Sequence, residues 1–334
     1  MPERIAILGA GSWGTALAVH CARIGHDVRL WARSPTVAHE MAVTRRNPGY
    51  LPDVCIDERV AVTASLPAAT DGAGIVVVAV PSHGLRAVVR AAAPALAPVR
   101  AVVSATKGLE VGTLARMSSV IQEETGGGLP VVALSGPSFA AEVAARLPTA
   151  IVAACGDHQA ATMVQEAFRG PTFRLYATED VAGVEFGGAL KNVIAIAAGV
   201  VEGLSLGHNA LAGVITRGLA EMSRLACAEG GRRETLAGLS GLGDLVLTCT
   251  GSLSRNRGLG IELGHGRALD DILSGMRMVA EGVRTTQAAV KLGERHGVEL
   301  PITTQMAAVL EGRVAPAEAV ETLMGRRQRH EQEN

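Results

Sequence analysis

A glycine-rich turn close to the N-terminus constrains the fold of this chain more than any other feature. An apolar, β-branched run at residues 4–8 leads into GAGSWG at 9–14, and a helical pattern follows at 15–24. In a strand-turn-helix unit of this spacing, the second glycine lets the backbone approach a pyrophosphate, while the other two serve the turn and the helix packing. The helix N-terminus adds N–H donors and a positive dipole end. The turn therefore predicts a dinucleotide site that contains Gly9, Gly11 and Gly14.

Short apolar strands alternate with helical stretches in the first half of the chain. We predict strands at residues 4–8, 27–31, 74–80, 101–104, 131–134 and 150–154. Strands that are apolar on both faces and alternate with helices are typical of a parallel sheet covered on both sides. From about Thr178 the pattern changes to long helical segments broken by glycine-rich turns. The sequence thus predicts an α/β protein, with a doubly wound, Rossmann-type domain at 1–180, an all-α domain at 181–330 and the site in the cleft between them.

Composition and charge exclude several classes of partner. The 334 residues are 48% hydrophobic and 19% charged, which is typical of a globular protein with ample core. The 31 Lys and Arg residues balance 32 Asp and Glu residues, so no global field favours nucleic acid or an anionic membrane. The few aromatic residues argue against a stacking groove for single strands. We expect a small-molecule substrate and no nucleic acid.

The sequence also suggests a compartment. The longest apolar stretches, such as 193–201, fall short of the ~20 residues that span a bilayer, and no signal-peptide pattern precedes the first strand. The five cysteines are odd in number and widely spaced, without CxxC, which indicates reduced thiols. None of the nine histidines has a metal-ligand spacing, so we expect no metal. These features predict a cytoplasmic protein without membrane insertion.

Arg33 follows the second predicted strand, at the position where an NAD site places an acid. An Asp or Glu about 20 residues after the glycines would bind the ribose 2′-hydroxyl, but the strand ends Leu-Trp-Ala-Arg-Ser at 30–34. A guanidinium pairs instead with a 2′-phosphate, although it can also stack on adenine. The sequence favours NADP, with NAD also accepted. The alternative is an exposed arginine at a strand end.

Two lysines lie where chemistry is expected. Lys107 follows a strand in the crevice, where its ammonium can meet a phosphate or a carbonyl; a solvated loop lysine is the alternative. Lys191 lies in an apolar helical run at 189–201, where a buried lysine of lowered pKa can exchange protons. The alternative is an ammonium facing solvent from an amphipathic helix. Between them, residues 135–140 (SGPSFA) again open a helix after a strand and present N–H groups and a hydroxyl to an anion.

A polar cluster in the second half suggests a site for a phosphorylated polyol. Asp244 can hold Lys191 or accept from a substrate hydroxyl, and residues 254–257 (SRNR) offer a hydroxyl, an amide and guanidiniums for a phosphate. The alternative reading is a charged helix end, with Arg257 and Glu262 paired in solvent. Cys249 is interpreted as a small core residue, because no adjacent histidine would activate it.

These segments together resemble one family, the NAD(P)-dependent glycerol-3-phosphate dehydrogenases of bacterial type. The segments are GAGSWGTAL (9–17), NPGYLP (47–52), ATKGLE (105–110), SGPSFAAEV (135–143), LKNVIAIAAG (190–199), GLGDLVLTC (241–249), SRNRGLG (254–260) and VAEGV (279–283). The resemblance implies reversible reduction of dihydroxyacetone phosphate to sn-glycerol 3-phosphate, which feeds glycerophospholipid synthesis. It also implies a homodimer.

The resemblance assigns roles residue by residue. Lys191 is similar to the proton acceptor of alcohol oxidation, with Lys107 and Asp244 beside it. The implied substrate contacts are Lys107, Gly136, Ser138, Lys191, Asp244, Ser254, Arg255 and Asn256. The implied cofactor contacts are Ser12, Trp13, Arg33, Tyr50, Lys107, Ala140, Arg255, Val279 and Glu281.

Two other readings remain open at the level of sequence. A relative that reduces hydroxyacids would use residues 254–257 as a carboxylate clamp. A non-catalytic protein that senses NADP would bind the cofactor without needing Lys107, Lys191 and Asp244 together.

Overall fold

The fold is taken from a computed structural model that describes residues 2–276, 280–328 and 330. Within these residues the strands are β1 (Arg4–Leu8), β2 (Asp27–Trp31), β3 (Arg46–Asn47), β4 (Leu51–Cys55), β5 (Val60–Thr63), β6 (Ile75–Val78), β7 (Ala101–Ser104), β8 (Val131–Ser135), β9 (Thr149–Ala154) and β10 (Phe173–Thr178). Eight of them form one sheet in the order β10-β9-β8-β7-β6-β1-β2-β5, and β3 pairs with β4.

Helices cover the sheet and build the rest of the described chain. They are α1 (Ser12–Arg23), α2 (Pro35–Thr44), α3 (Leu66–Thr70), α4 (Ser82–Leu96), α5 (Met117–Thr125), α6 (Ala140–Ala144), α7 (His158–Phe168), α8 (Val181–Gly203), α9 (Gly207–Ala228), α10 (Arg233–Leu236), α11 (Asp244–Thr250), α12 (Arg255–Gly264), α13 (Leu269–Gly275), α14 (Glu281–His296), α15 (Pro301–Leu310) and α16 (Pro316–Met324). A π-helical turn at Leu239–Gly243 precedes α11. The α/β prediction, with a helical second half, is confirmed.

One strand pair departs from the parallel pattern. β9 runs antiparallel to β8, whereas the other pairs of the large sheet are parallel. The connection between β8 and β9 contains only the five-residue helix α6. At 1.5 Å per residue such a helix spans about 7.5 Å, about half the length of the five-residue strand β8, so it does not form the crossover helix that normally returns the chain to the start of a parallel strand. The chain therefore re-enters the sheet at the carboxyl end of β8.

The parallel strands bring the predicted motifs to one edge. β1 lies between β2 and β6, and β6, β7 and β8 follow in register. The carboxyl ends of these strands therefore line one crevice. It lies at β1, because the chain continues from β1 to β2 on one side of it and returns to β6 on the other side. The core beneath is made of Ile, Val, Leu and Ala side chains such as Ile5, Ile7, Val77 and Val103, all fully buried.

The central helix α8 has 23 residues and extends well beyond the apolar stretch 193–201 that the sequence shows. In the described part of the chain it is the single helix whose length and composition would suit a membrane span. All of its most apolar window is buried inside the protein, so it serves as the core of the helical half.

Glycines let α12 pack backbone to backbone against α8. A Cβ at Gly260 would lie 2.1 Å from the carbonyl oxygen of Ile196, and one at Gly203 would lie 2.4 Å from that of Ile261. Because neither helix backbone can yield, only glycine permits this approach. The contact sets the N-terminal end of α12, with Arg255, beside the middle of α8.

Candidate active site

The glycine-rich loop has the form that the sequence predicts. Gly9 adopts φ +125°, and a Cβ there would lie 2.5 Å from the carbonyl oxygen of Ala79. A Cβ at Gly14 would lie 1.8 Å from the carbonyl oxygen of Gly9, so the third glycine is needed for packing. A Cβ at Gly11 would meet nothing within 4 Å. The loop thus has an open face at its second glycine, in front of the N-terminus of α1, and this face fits a pyrophosphate.

A small hairpin made by β3 and β4 leans on this loop. The Asn47 amide donates to the carbonyl of Ala10 at 2.9 Å and to the Thr15 hydroxyl at 2.8 Å. The Ser12 hydroxyl donates to the carbonyl of Tyr50 at 2.9 Å. These bonds hold Tyr50 at the mouth of the crevice. Sequence reasoning missed the role of Asn47, although the Asn-Pro-Gly sequence at 47–49 is a turn signal that could have located the hairpin.

Two lysines share one buried carboxylate. Lys107 Nζ lies 2.6 Å from Asp244 Oδ2, and Lys191 Nζ forms a hydrogen-bonded ion pair with Asp244 Oδ1. Lys107 also donates to the carbonyl oxygen of Gly136 at 3.0 Å, and Lys191 to the Thr248 hydroxyl at 2.8 Å. Asp244 is fully buried, whereas the side chain of Lys107 is 21% exposed. The structure therefore brings together four residues that the sequence analysis singled out, and adds Thr248.

Helix geometry explains this centre. Asp244 and Thr248 are four residues apart on α11, so both side chains lie on one face, and the Thr248 hydroxyl also donates to the Asp244 carbonyl at 2.6 Å. A Cβ at Gly187 would lie 2.5 Å from the carbonyl oxygen of Ser240, in the π-helical turn before α11. This close approach brings the start of α11 against α8, and hence Asp244 against Lys191.

Burial changes the acid-base properties of Lys191. Desolvation lowers the pKa of its ammonium to about 7, and the positive charge of Lys107 acts in the same direction, while Asp244 opposes the shift. A lysine with a pKa close to neutrality can both accept and donate a proton under physiological conditions. The predicted assignment of Lys191 as a buried ionisable group is confirmed, and its alternative as a solvent-facing ammonium is wrong.

The start of α12 supplies further polar groups. The Ser254 hydroxyl caps the helix by accepting from the Arg257 N–H at 3.2 Å. Arg255 is exposed on the crevice side, and the Asn256 amide is buried. Arg257 pairs with Glu202 rather than with Glu262, which pairs with Arg267. The suggested pairing of Arg257 with Glu262 is therefore wrong.

These residues line one cavity of about 340 Å³ between the sheet edge and the helical half. Its lining includes Ser12, Trp13, Tyr50, Lys107, Ser138, Ala140, Lys191, Ser254, Arg255, Asn256 and Glu281. Asp244 lies beneath the two lysines, and the carbonyl of Gly136 contacts Lys107. Eleven of the residues selected from the sequence thus face one space.

Comparison with known proteins identifies the family. A model of the N-terminal part of NAD-dependent glycerol-3-phosphate dehydrogenase matches residues 4–161, and a model of its C-terminal part matches residues 180–321. The chain belongs to the NAD-dependent glycerol-3-phosphate dehydrogenase family.

Individual relatives agree with this assignment over their full lengths. A glycerol-3-phosphate dehydrogenase [NAD(P)+] from Koribacter versatilis is 54% identical over 97% of each chain. One from Moorella thermoacetica is 50% identical over 100% of this chain and 99% of its own. The crystal structure of glycerol-3-phosphate dehydrogenase from Coxiella burnetii has a TM-score of 0.93 and 41% identity, over 97% of this chain and 99% of its own.

Two predicted contacts of this dehydrogenase lie apart from the cavity wall. Arg33 is exposed two residues beyond β2, whose last residue Trp31 accepts a hydrogen bond from the Gly9 N–H at 3.1 Å. It therefore stands beside the glycine loop rather than in the cavity. Val279 lies outside the described residues. Glu281 is hydrogen-bonded to Ser82, the first residue of α4, to which sequence reasoning gave no role.

Proposed function

We propose that this protein catalyses the reversible, NAD(P)H-dependent reduction of dihydroxyacetone phosphate to sn-glycerol 3-phosphate. The observation that carries the proposal is the arrangement of Lys107, Lys191 and Asp244 at the wall of the cavity onto which the glycine loop opens. Membership of the glycerol-3-phosphate dehydrogenase family supports it. A non-catalytic cofactor sensor would have no need of two lysines on one buried acid.

The dinucleotide would be held at the sheet edge. The open face at Gly11 and the N-terminus of α1 receive the pyrophosphate, and Ser12, Trp13, Tyr50 and Ala140 border the same space. When bound, the nicotinamide supplies a hydride to the carbonyl carbon, or removes one from the carbinol carbon. Arg33, exposed at the end of β2, supplies a planar cation for a 2′-phosphate, which favours NADP over NAD.

Lys191 moves the proton. As the carbonyl carbon gains the hydride, its oxygen becomes an alkoxide, and the Lys191 ammonium donates a proton to it and becomes neutral. In the oxidation direction neutral Lys191 takes the hydroxyl proton while the carbinol carbon loses the hydride. Asp244 holds the lysine in place, and Thr248 fixes the orientation of its Nζ at 2.8 Å.

Arg255 and its neighbours bind the phosphate end of the substrate. A guanidinium forms two parallel hydrogen bonds to a phosphate, and Arg255 lines the cavity on the side opposite the sheet edge. The Ser254 hydroxyl, which only accepts among the described residues, keeps a hydrogen that can point into the cavity, while the Ser138 hydroxyl donates to the Gly136 carbonyl at 2.9 Å and keeps its oxygen as an acceptor. Lys107 lies between the two ends, where its positive charge attracts the substrate anion and keeps the pKa of Lys191 low.

We further infer the domain boundary, the cellular compartment and the oligomeric state of this enzyme. The boundary between the sheet domain and the helical domain is placed at residue 180, because α8 begins at Val181 directly after β10. The balanced charge and free thiols suit a cytoplasmic enzyme. The family relationship suggests a homodimer whose product feeds glycerophospholipid synthesis.

The test is a substrate panel with the purified protein. Oxidation of NADPH and of NADH is followed with dihydroxyacetone phosphate, hydroxypyruvate, ketopantoate and an acetoacetyl thioester. We expect turnover with the triose phosphate alone and a higher kcat/KM with NADPH. NADPH binding without turnover on any substrate would instead support a non-catalytic sensor. Turnover of ketopantoate would support the alternative in which residues 254–257 bind a substrate carboxylate.

A further inference from the structure

The first turn of α14 joins the helical half to the sheet edge. The Glu281 carboxylate accepts from the Ser82 N–H at 2.9 Å and from the Ser82 hydroxyl at 2.6 Å. Ser82 is the first residue of α4 and is only 4% exposed. A carboxylate from the helical half thus caps a helix of the sheet half, where it also meets the positive end of the helix dipole.

The next residue continues the connection toward the catalytic lysine. The Gly282 N–H donates to Asn256 Oδ1 at 3.0 Å, and Asn256 Nδ2 donates to Asn192 Oδ1 at 3.0 Å. Asn192 directly follows Lys191 on α8. A Cβ at Gly282 would lie 2.7 Å from both the Asn192 carbonyl oxygen and Asn256 Oδ1, so the contact is close-packed. These hydrogen bonds, from Ser82 through Glu281, Gly282 and Asn256 to Asn192, are called the α14 bridge.

The α14 bridge also touches the loop that carries Lys107. Gly108 adopts φ +145°, and a Cβ there would lie 2.9 Å from Ser82 Cβ and 3.4 Å from Glu281 Oε2. Glu281 itself lines the cavity, together with Lys107 and Lys191. The bridge therefore spans the active site from the edge that receives the dinucleotide to the lysine that moves the proton.

We propose that Ser82 is a positioning residue, which aligns the two halves of the active site by fixing Glu281 and the α14 bridge. This inference rests on the proposed function, since alignment matters only where hydride and proton are delivered from opposite walls. Ser82 acts through Glu281 rather than on the substrate, because its hydroxyl and N–H both donate to that carboxylate. Hydride transfer is sensitive to such alignment: a misplacement of about 1 Å can cost about 100-fold in rate.

The chain contains a matched control for this contact. Ser118, in the first turn of α5, donates through its N–H at 2.8 Å and its hydroxyl at 2.5 Å to Glu185 of α8. The two serine donors are the same as in the contact of Ser82 with Glu281, and this contact too joins the sheet half to the helical half; Glu185 additionally pairs with Arg116 at 2.8 Å. Ser118 is buried away from the cavity lining, so loss of its hydroxyl should lower stability and leave alignment intact.

The experiment compares Ser82→Ala with Ser118→Ala in single-turnover reactions, with enzyme in excess of NADPH and saturating dihydroxyacetone phosphate. For Ser82→Ala we expect the hydride-transfer rate to fall about ten-fold, with the Kd of NADPH within about three-fold of wild type, because one hydrogen bond to a charged group is lost. For Ser118→Ala we expect a lower melting temperature and a wild-type hydride-transfer rate.

A double-mutant cycle with Glu281→Gln completes the test. If Ser82 acts through Glu281, the two substitutions together should slow hydride transfer little more than Glu281→Gln does alone. A wild-type rate in Ser82→Ala, additive losses in the cycle, or equal losses in Ser118→Ala would overturn the proposal. Failure of the wild-type enzyme to turn over dihydroxyacetone phosphate would instead refute the proposed function, so the two outcomes are distinguishable.

Discussion

Lys191 and Asp244 form an ion pair at the bottom of the cavity, with the carboxylate fully buried and the lysine side chain 9% exposed. The pair places an ionisable nitrogen at the cavity wall and a fixed negative charge behind it. We expect Lys191→Ala to lower kcat by about 10²- to 10⁴-fold, because the alkoxide then lacks its proton donor. NADPH binding, measured by fluorescence titration, should stay close to wild type.

The chain has only three lysines, which gives this prediction a simple control. Lys291 is exposed on α14, away from the cavity lining. Lys291→Ala should therefore keep wild-type kcat and NADPH affinity. Turnover by Lys191→Ala at the wild-type rate would refute its role in proton transfer.

The lowered pKa of Lys191 predicts opposite pH dependences for the two directions. Oxidation needs the neutral amine, so its rate should rise with pH through about pH 7, while reduction needs the ammonium and should fall through the same range. Initial rates in both directions between about pH 5.5 and about pH 9 test this. Parallel profiles would contradict it.

The charge of Lys107 should set where this transition occurs. Its positive charge is one of the causes that lower the pKa of Lys191. In Lys107→Met the residual activity should be low, because a substrate contact is lost, but its pH transition should move to higher pH. A transition at the wild-type pH would show that the charge of Lys107 does not contribute to the lowered pKa of Lys191.

Lys191 also links pH to stability. Its pKa is lower in the folded protein than the ordinary value of 10.5, so the unfolded chain binds more protons between about pH 7 and about pH 10.5. This group therefore destabilises the fold below about pH 7, and its penalty is lost as the pH rises toward about 10.5. Urea unfolding of wild type and Lys191→Met should show a free-energy difference that changes across this window and is constant below it.

Two glycines of the glycine-rich loop should have different functions: Gly11 in cofactor binding and Gly14 in packing. Gly11→Ala adds a Cβ to open space, so the free energy of unfolding should fall by about 1 kcal/mol or less, while the Kd of NADPH should rise about ten-fold or more. Gly14→Ala places a Cβ 1.8 Å from the Gly9 carbonyl oxygen and should cost about 3 kcal/mol. Thermal unfolding and fluorescence titration of both variants distinguish the two effects. Tight NADPH binding by Gly11→Ala would show that the dinucleotide does not use this face.

The sequence predicted those parts of the molecule that depend on local pattern. The strands at 4–8, 27–31 and 101–104 are confirmed to the residue, because each is a short run rich in β-branched, apolar residues that borders a helical pattern. The edge strands β5 and β10 were missed, since β5 is a run of only four residues and the apolar pattern of β10 is interrupted by Arg174. The reversal of β9 depends on the length of the helix before it, which periodicity does not reveal.

The residues of the active site also divide into those that local sequence pattern reveals and those that it does not. Lys107, Lys191 and Asp244 could be singled out because charged residues are unusual in apolar runs and at strand ends. Thr248, Asn192 and Ser82 lie in motifs that the sequence indicates, but none could be given a role of its own, because a hydroxyl or amide is ordinary on any helix until its partner is known. Those partners lie 57, 64 and 199 residues away, and only the packing of α8 with α11 and α12, and of α14 with α4, brings them together.

Arg33 should decide which dinucleotide is preferred. Its guanidinium is exposed beside the glycine loop, where it can meet a 2′-phosphate. We expect Arg33→Ala to lower the ratio of kcat/KM for NADPH to that for NADH by about ten-fold or more, since a charge-assisted bidentate contact is lost. The kinetics with NADH serve as the internal control and should change little. An unchanged ratio would place the selectivity elsewhere in the site.

The close packing of α12 on α8 should be as important for activity as for stability. Gly260→Ala places a Cβ 2.1 Å from the Ile196 carbonyl oxygen, between two helix backbones, and should destabilise the protein by about 3 kcal/mol. Because it pushes the start of α12 away from α8, it should also displace Arg255 and so raise the KM for dihydroxyacetone phosphate.

Gly258 provides the control, because it lies on the same helix with open space at its Cβ position. Gly258→Ala should therefore stabilise the helix by about 0.5–1 kcal/mol. Urea unfolding and steady-state kinetics of the two variants measure both effects. Equal stability of the two variants would mean that the helices can separate without loss, and that the glycines do not set the position of Arg255.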